Sequence, residues 1–328
     1  MFLNTVDKYP DKPLFNYKEN NKWVPLTGKD IKLTVSSIAF ALSYKNIFPK
    51  EKVAILSTTS YRWALCDYGI ISLGAVTVTV YPTLLPEHIK HIINDSGSKL
   101  IFVENLMQLE KVKTVYDDCP DLKYIVLMDN SLEKDEEFIL NLNSFLIVPK
   151  EFMKDSKDSF KTMINTAKPD DLLTLIYTSG TTGMPKGVML SHNNLISNIE
   201  GVQEISTIDD TDSFLSFLPL SHVLERMAGH FSPFSMGAKI FYAENMETVA
   251  NDIVEVSPTI VICVPRFFEK IYNKLNTTIN TSSGLKKKLF NWALKIGKDY
   301  TNTTHAGYTP SFLLKLNQRL AEKLIYKK

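Results

Sequence analysis

Between Thr178 and Lys186 the chain reads TSGTTGMPK, and Gly187 follows. Thr178, Ser179, Thr181 and Thr182 bring hydroxyls that can donate hydrogen bonds. Gly180, Gly183 and Gly187 let a backbone approach an anion closely, and Lys186 adds a mobile positive charge. This set suits the oxygens of a phosphate chain, where each hydrogen bond to a charged group contributes about 1.5–3 kcal/mol. Composition alone would favour a solvent-exposed linker, and the order of residues reverses that judgement. A Walker A loop is excluded, because Lys186 is followed by Gly187 rather than Ser or Thr and the glycine spacing is wrong. A dinucleotide GxGxxG is absent as well.

The elements around the loop have a recognisable rhythm. Apolar runs at Lys52–Ser57, Ala75–Tyr81, Lys99–Glu104 and Lys123–Met128 predict strands. Helical patterns at Tyr61–Leu73, Pro86–Asn94 and Leu106–Tyr116 lie between them, which predicts parallel βαβ units with helices on both faces. The polar stretch Asp129–Ser144 interrupts the rhythm and reads as a surface loop. Strands are then expected at Leu172–Thr178, Phe214–Leu218, Lys239–Tyr242 and Thr259–Val264. Helices are expected at Asn193–Ile205, Val223–Met236, Met246–Glu255 and Arg266–Asn276, and only helical pattern and loop from Ser283 onward. The phosphate-type loop thus leaves a strand and leads toward a helix, a natural setting for an anion. The fold class is α/β, with a first βα sub-domain over 1–167 and a second over 168–328 that carries the loop.

The chain has 328 residues, 44% hydrophobic and 22% charged, with a net charge of +1. Near-neutral balance gives no argument for a nucleic-acid partner. Cys66, Cys119 and Cys263 are odd in number and far apart, which disfavours a disulfide framework or zinc site and fits reduced cytosolic thiols. The first residues show no apolar signal region, and the most apolar stretch, Gly69–Tyr81, is too short to span a bilayer. A cytoplasmic location is expected. The basic amphipathic segment Gly284–Tyr300 reads equally as a packed helix or as a peripheral membrane contact.

TSGTTGMPKG, unbroken over its ten residues, resembles the phosphate loop of the adenylate-forming superfamily of AMP-dependent synthetases and ligases. LPLSHVLER (Leu218–Arg226), VPRFFEKIY (Val264–Tyr272) and GAVTVTVYPT (Gly74–Thr83) resemble the long-chain acyl-CoA synthetase branch. The resemblance implies the stacked βα sub-domains of that superfamily's N-terminal domain. It also implies a fatty acid–CoA ligase that uses ATP, Mg2+ and coenzyme A and passes through an acyl-adenylate. By position, Thr178, Ser179, Gly180, Thr181, Thr182, Gly183 and Lys186 would enclose the β- and γ-phosphates, and Thr181 or Thr182 would offer a hydroxyl to magnesium. Lys186 and His222 would be the catalytic side chains, His222 beside the α-phosphate and the carboxylate.

Family members continue beyond LAEKLIYKK, where this sequence stops. The resemblance therefore implies that the adenine and ribose contacts, an acidic magnesium ligand and a mobile C-terminal domain with its adenylation lysine lie outside these residues. The expected fold is a truncated one, inactive alone. The alternatives are a ligase for other carboxylic acids, a fatty acyl-AMP ligase, or a non-enzymatic nucleotide-binding remnant. Among other candidates, His88 and His91 read as a solvated helix face, His192 as a helix start, and Glu225 with Arg226 as a local helix pair without a catalytic role.

Overall fold

The computed structural model describes residues 1–149, 151–152, 156–178, 183–281 and 284–326. In chain order the first elements are α1 (Phe2–Lys8), β1 (Pro13–Glu19), β2 (Lys22–Thr27), α2 (Gly28–Tyr44), β3 (Lys52–Leu56), α3 (Tyr61–Ser72) and β4 (Val76–Val80). There follow α4 (Pro86–Ser96), β5 (Ser98–Val103), α5 (Leu106–Lys113), β6 (Tyr124–Leu127), β7 (Ile139–Asn141), α6 (Leu142–Phe145) and α7 (Ser156–Ile164). Next come β8 (Leu172–Thr178), β9 (Lys186–Ser191), α8 (His192–Ile205), β10 (Ser213–Ser216), a π-helical turn (Glu225–Phe231), α9 (Ser232–Met236), β11 (Lys239–Tyr242) and α10 (Val249–Val256). The chain then forms α11 (Pro265–Asn280), α12 (Gly284–His305) and α13 (Phe312–Ala321).

Side-chain alternation explains how the main sheet is covered. Val53 and Ile55 face a core built with Val35, Ile38 and Trp63, while Ala54 and Leu56 face a second core built with Ile89, Ile92 and Val112. Successive strand residues point to opposite faces, so a strand apolar on both faces needs helices on both. The resulting seven-stranded sheet runs β7-β6-β5-β3-β4-β8-β9. Its strands pair in parallel except β9, which is antiparallel to β8. Parallel pairing over residues 52–128 agrees with the strand–helix rhythm of the sequence. A four-stranded sheet, β10-β11-β1-β2, brings the N-terminal hairpin against strands from far along the chain.

Several elements depart from the sequence expectations. The polar stretch 129–144 contains β7, which pairs in parallel with β6 at the sheet edge. A strand of three residues is too short to show a period, and it is held by Asn141, whose amide bonds both backbone groups of Leu132. The expected strand Thr259–Val264 reduces to a single parallel bridge between Ile260 and Phe214. Side-chain bonds from Thr259 to Ser213 and Asp212 fix its start, and Pro265 turns the chain into α11. Lys186 opens strand β9, so a strand intervenes between the glycine loop and α8. Ser191 caps α8 with a reciprocal bond to Asn194, and the helix begins at His192 as expected.

Sheet membership crosses the boundary expected near Ala167: β8 and β9 extend the sheet of β3 to β7, and β1 and β2 join β10 and β11. Strands pair by matching edges rather than by chain order. The compact units are Met1–Ile262 and Cys263–Lys328, the second being α11, α12 and α13. All three cysteines are free thiols. Among the described residues no helix is long and apolar enough to cross a membrane.

Candidate active site

Thr178 and the histidine turn each lie at the carboxyl end of a parallel strand, Thr178 at that of β8 and the turn against that of β4, where open α/β sheets place their ligands. Thr178 ends β8 and is exposed, and its register partner across the hairpin is Lys186, also exposed. A hydroxyl and an ammonium therefore stand side by side at the strand end. Ser179, Gly180, Thr181 and Thr182 lie outside the described residues. Gly183 is exposed, with no atom within 4 Å of where a Cβ would stand.

Helix α4 fixes both shoulders of this loop. The Tyr177 hydroxyl donates to Asp95 Oδ2 at 2.6 Å, and His91 Nε2 lies 2.9 Å from the Pro185 carbonyl, positioned to donate to it. Burial and the neighbouring Asp95 carboxylate push the Tyr177 hydroxyl pKa well up, so it stays a donor. Gly187, opposite Tyr177, leaves room for the ring, since a Cβ there would lie 3.0 Å from it. His91 is thus part of the loop's support rather than a purely solvated residue; the i, i+4 spacing to Asp95 on one helix face was the available signal.

His222 sits in the turn that leaves β10, with its side chain exposed. Its Nδ1 accepts the Leu224 backbone N–H at 3.2 Å, which selects the tautomer with the proton on Nε2. That nitrogen is then a neutral donor, suited to an anionic oxygen. Thr59, in the connection after β3, and Thr79 of β4 hold the turn. Thr59 donates to the Leu218 carbonyl at 2.5 Å and accepts from Leu220 N–H at 2.9 Å. Thr79 donates to the Ser221 carbonyl at 3.1 Å, and Ser221 donates to the Val80 carbonyl at 3.4 Å. Thr79 is paired in register with Ile176, two residues before Thr178. His222 and the loop are therefore anchored to adjacent strands.

Below the turn lies a buried polar layer. Arg226 binds Asp67 through Nε at 2.8 Å and Nη2 at 2.5 Å, and donates from Nη1 to Thr174 at 2.6 Å. Thr77 donates to the same Asp67 at 2.7 Å. Glu225 turns elsewhere, accepting the Ser216 hydroxyl at 2.6 Å, so the two residues are not the local helix pair expected. Burial raises the Glu225 pKa to about 8 and, with the nearby Arg226 charge, lowers that of His230 to about 3. Both shifts favour the neutral form. The His230 Nδ1 lies 3.1 Å from the Tyr242 hydroxyl.

Val223 and Leu224, the residues after His222, line an apolar cavity of about 310 Å³ with Ile176, Leu190, Leu195 and Met227. A second cavity of about 690 Å³ continues behind it, sharing Leu173, Leu195 and Phe231. Along the chain, the order is the exposed His222, then Val223 and Leu224 of the smaller, apolar cavity. That order can hold an anion at one end and a hydrocarbon at the other.

A family model described as "AMP-binding enzyme" matches residues 2–309. The chain belongs to the AMP-binding enzyme family. Among curated relatives, a long-chain-fatty-acid–CoA ligase of Gallus gallus is 32% identical, covering all of this chain and 43% of the relative. A counterpart in Rattus norvegicus is 28% identical over 99% of this chain and 45% of its own length. One from Mycobacterium bovis is 27% identical over 97% and 51%. The chain spans about half the length of the curated relatives it matches.

The fold of these AMP-binding enzymes is also found in solved structures. A coronafacic acid ligase from Pectobacterium brasiliense superposes with a TM-score of 0.70 at 17% identity, over 86% of this chain and 52% of that one. The adenylation domain of a carboxylate reductase from Mycobacterium chelonae gives 0.70 at 20% identity, over 86% and 48%.

Proposed function

We propose that this chain is the N-terminal part of an AMP-forming ligase that activates long-chain fatty acids and passes them to coenzyme A. A carboxylate oxygen attacks the α-phosphorus of ATP, the bond to the β-phosphoryl oxygen breaks, and pyrophosphate leaves. The coenzyme A thiol then adds to the acyl carbonyl of the adenylate, loses its proton, and expels AMP. Exposed Thr178 and Lys186 fit the departing polyphosphate, with Ser179, Gly180, Thr181, Thr182 and Gly183 completing that loop by resemblance. The Nε2–H of His222 fits the reacting centre, donating to a carboxylate or α-phosphate oxygen as charge gathers there.

The observation that carries this reading is the apolar cavity along β8 that is lined by Val223 and Leu224, the two residues after His222. Each buried CH2 of an acyl chain adds about 0.8 kcal/mol, so such space favours long substrates. The residues that would offer oxygens to magnesium, Thr181 and Thr182, lie outside the described residues. Among the described ones no group of three or more His, Cys, Asp or Glu could hold a metal. A bound magnesium ion would neutralise phosphate charge in this chemistry.

The test is a full-length clone assayed with ATP, coenzyme A and a panel of acids from acetate to palmitate. Formation of AMP and thioester with palmitate preferred is expected; preference for short or aromatic acids would refute the substrate assignment. Residues 1–328 alone are expected to give no thioester, because exposed phosphate contacts are screened by water and salt. A cytoplasmic location is part of the proposal, with α12 as a peripheral membrane contact. Leu285, Leu289 and Leu294 are exposed beside Lys286, Lys288 and Lys295. Co-sedimentation with anionic vesicles, lost when the three leucines become serine, would support that contact.

A further inference from the structure

One side chain holds the His222 turn at both of its ends. Glu225 lies three positions after His222 and is 1% exposed. Its Oε1 accepts the Ser216 hydroxyl, and its carboxyl group also accepts the backbone N–H of Phe217. Ser216 ends β10 and Phe217 begins the turn, so one carboxyl ties the entry of the turn to its exit. The fit is close. A Cβ at Gly229, one helical turn on, would lie 2.5 to 2.8 Å from the Glu225 carboxyl atoms. Glycine at 229 is thus what lets the carboxyl group reach back to the strand.

We propose that Glu225 is a positioning residue for His222, closing the Phe217–Leu224 turn as a carboxylic acid rather than as a carboxylate. The charges around it explain that form. Arg226, the adjacent cation, has its guanidinium committed to Asp67 and Thr174. His230 on the same turn faces Tyr242 on β11, and Tyr68 on α3 packs against the His230 ring. β10 and α9 carry no titratable side chain, and Glu200 and Glu204 of α8 are exposed. Glu225 Oε2 has no hydrogen-bond partner among the described residues, so an ionised form would leave half its charge unsolvated. Burial moves the carboxyl pKa in the same direction, up to about 8.

This inference rests on the ligase reading only for what His222 does; how the turn is held can be tested without turnover. Residues 1–328 are prepared with 15N-labelled histidine, and the His222 ring signals are assigned with His222→Gln. Glu225→Ala is expected to shift those signals while the His88 and His91 signals stay in place. Glu225→Gln, which keeps an acceptor without a charge, should restore the wild-type positions. In the wild type the His222 signals should move again as pH passes through about 8, and that step should vanish in Glu225→Gln. Unmoved His222 signals in a folded Glu225→Ala protein would overturn the proposal, as would identical titrations of wild type and Glu225→Gln. Where Glu225→Ala does not fold, the titration comparison alone decides. Absence of ligase activity in the full-length clone would refute the functional reading and leave this result standing.

Discussion

The two halves of the candidate site are built in opposite ways. The glycine loop carries its chemistry in its own sequence, and its described ends stand exposed, with Asp95 and His91 at the shoulders. The His222 turn carries one reactive side chain, and beneath it lie Asp67, Arg226, Glu225 and His230, all buried. Anion contacts can be shared among several donors of one loop, whereas a single donor aimed at a reacting centre must be fixed from below. Changes at the loop should therefore alter chemistry with little effect on folding, and changes under the turn should do the reverse first.

The largest effect is expected at the ion pair. Asp67→Ala leaves the Arg226 guanidinium buried without its partner and should destabilise residues 1–328 by about 3–5 kcal/mol, read from the urea midpoint. A loss below about 1 kcal/mol would show that the layer under the turn is not the anchor described. Lys186→Ala tests the other side. Pyrophosphate release by the full-length clone should fall by about 10²–10³-fold. Its urea midpoint should stay unchanged, because the side chain is exposed. A rate unchanged with Thr181→Ala and Thr182→Ala added would remove the loop from the mechanism.

The pH dependence of stability sharpens the contrast, because the neutral acid and neutral imidazole under the turn act in opposite directions. The unfolded state releases the Glu225 proton near its ordinary pKa of 4.5, whereas the folded state keeps it until about 8. Stability from this group is thus full below 4.5 and lost as pH rises to about 8. For His230 the unfolded state takes up a proton near 6.5, and the folded state resists until about 3. Stability from it is full above 6.5 and lost as pH falls toward 3. Each slope is roughly 1.4 kcal/mol per pH unit. Urea midpoints across pH 4 to 9 should show the alkaline loss flattened in Glu225→Gln and the acid loss flattened in His230→Phe. The smallest effect belongs to the loop's shoulder: Tyr177→Phe removes one hydrogen bond to Asp95 and should cost about 0.5–1.5 kcal/mol. A larger cost would place the loop's support deeper in the fold than Asp95 suggests.

The strands at 52–56, 76–80, 98–103 and 172–178 were legible because both their faces are buried, leaving unbroken apolar runs. β7 and the supposed strand at 259–264 were not, since one is three residues long and the other pairs at a single position. Thr59, a key support of the turn, gave no signal: its partners at Leu218 and Leu220 are some 160 positions away. The i, i+5 geometry of the π-helical turn also defeats a reading based on a period of 3.6. Glu225 and Arg226, neighbours in sequence, look like a helix pair until the turn sends their side chains to different strands.

By itself, then, the sequence determined which groups are present and where the glycine loop lies, because glycine, hydroxyl and lysine spacing acts locally along the backbone. It also determined the parallel sheet, because apolar runs alternating with helical patterns are written along the chain. Only the tertiary structure decided that Thr178 pairs with Lys186 and that Val223 and Leu224, next to His222, line apolar space. It alone decided that burial favours the uncharged form of Glu225. Those outcomes depend on which strands become neighbours and on how far a carboxyl group lies from water, and burial is a property of the assembled fold.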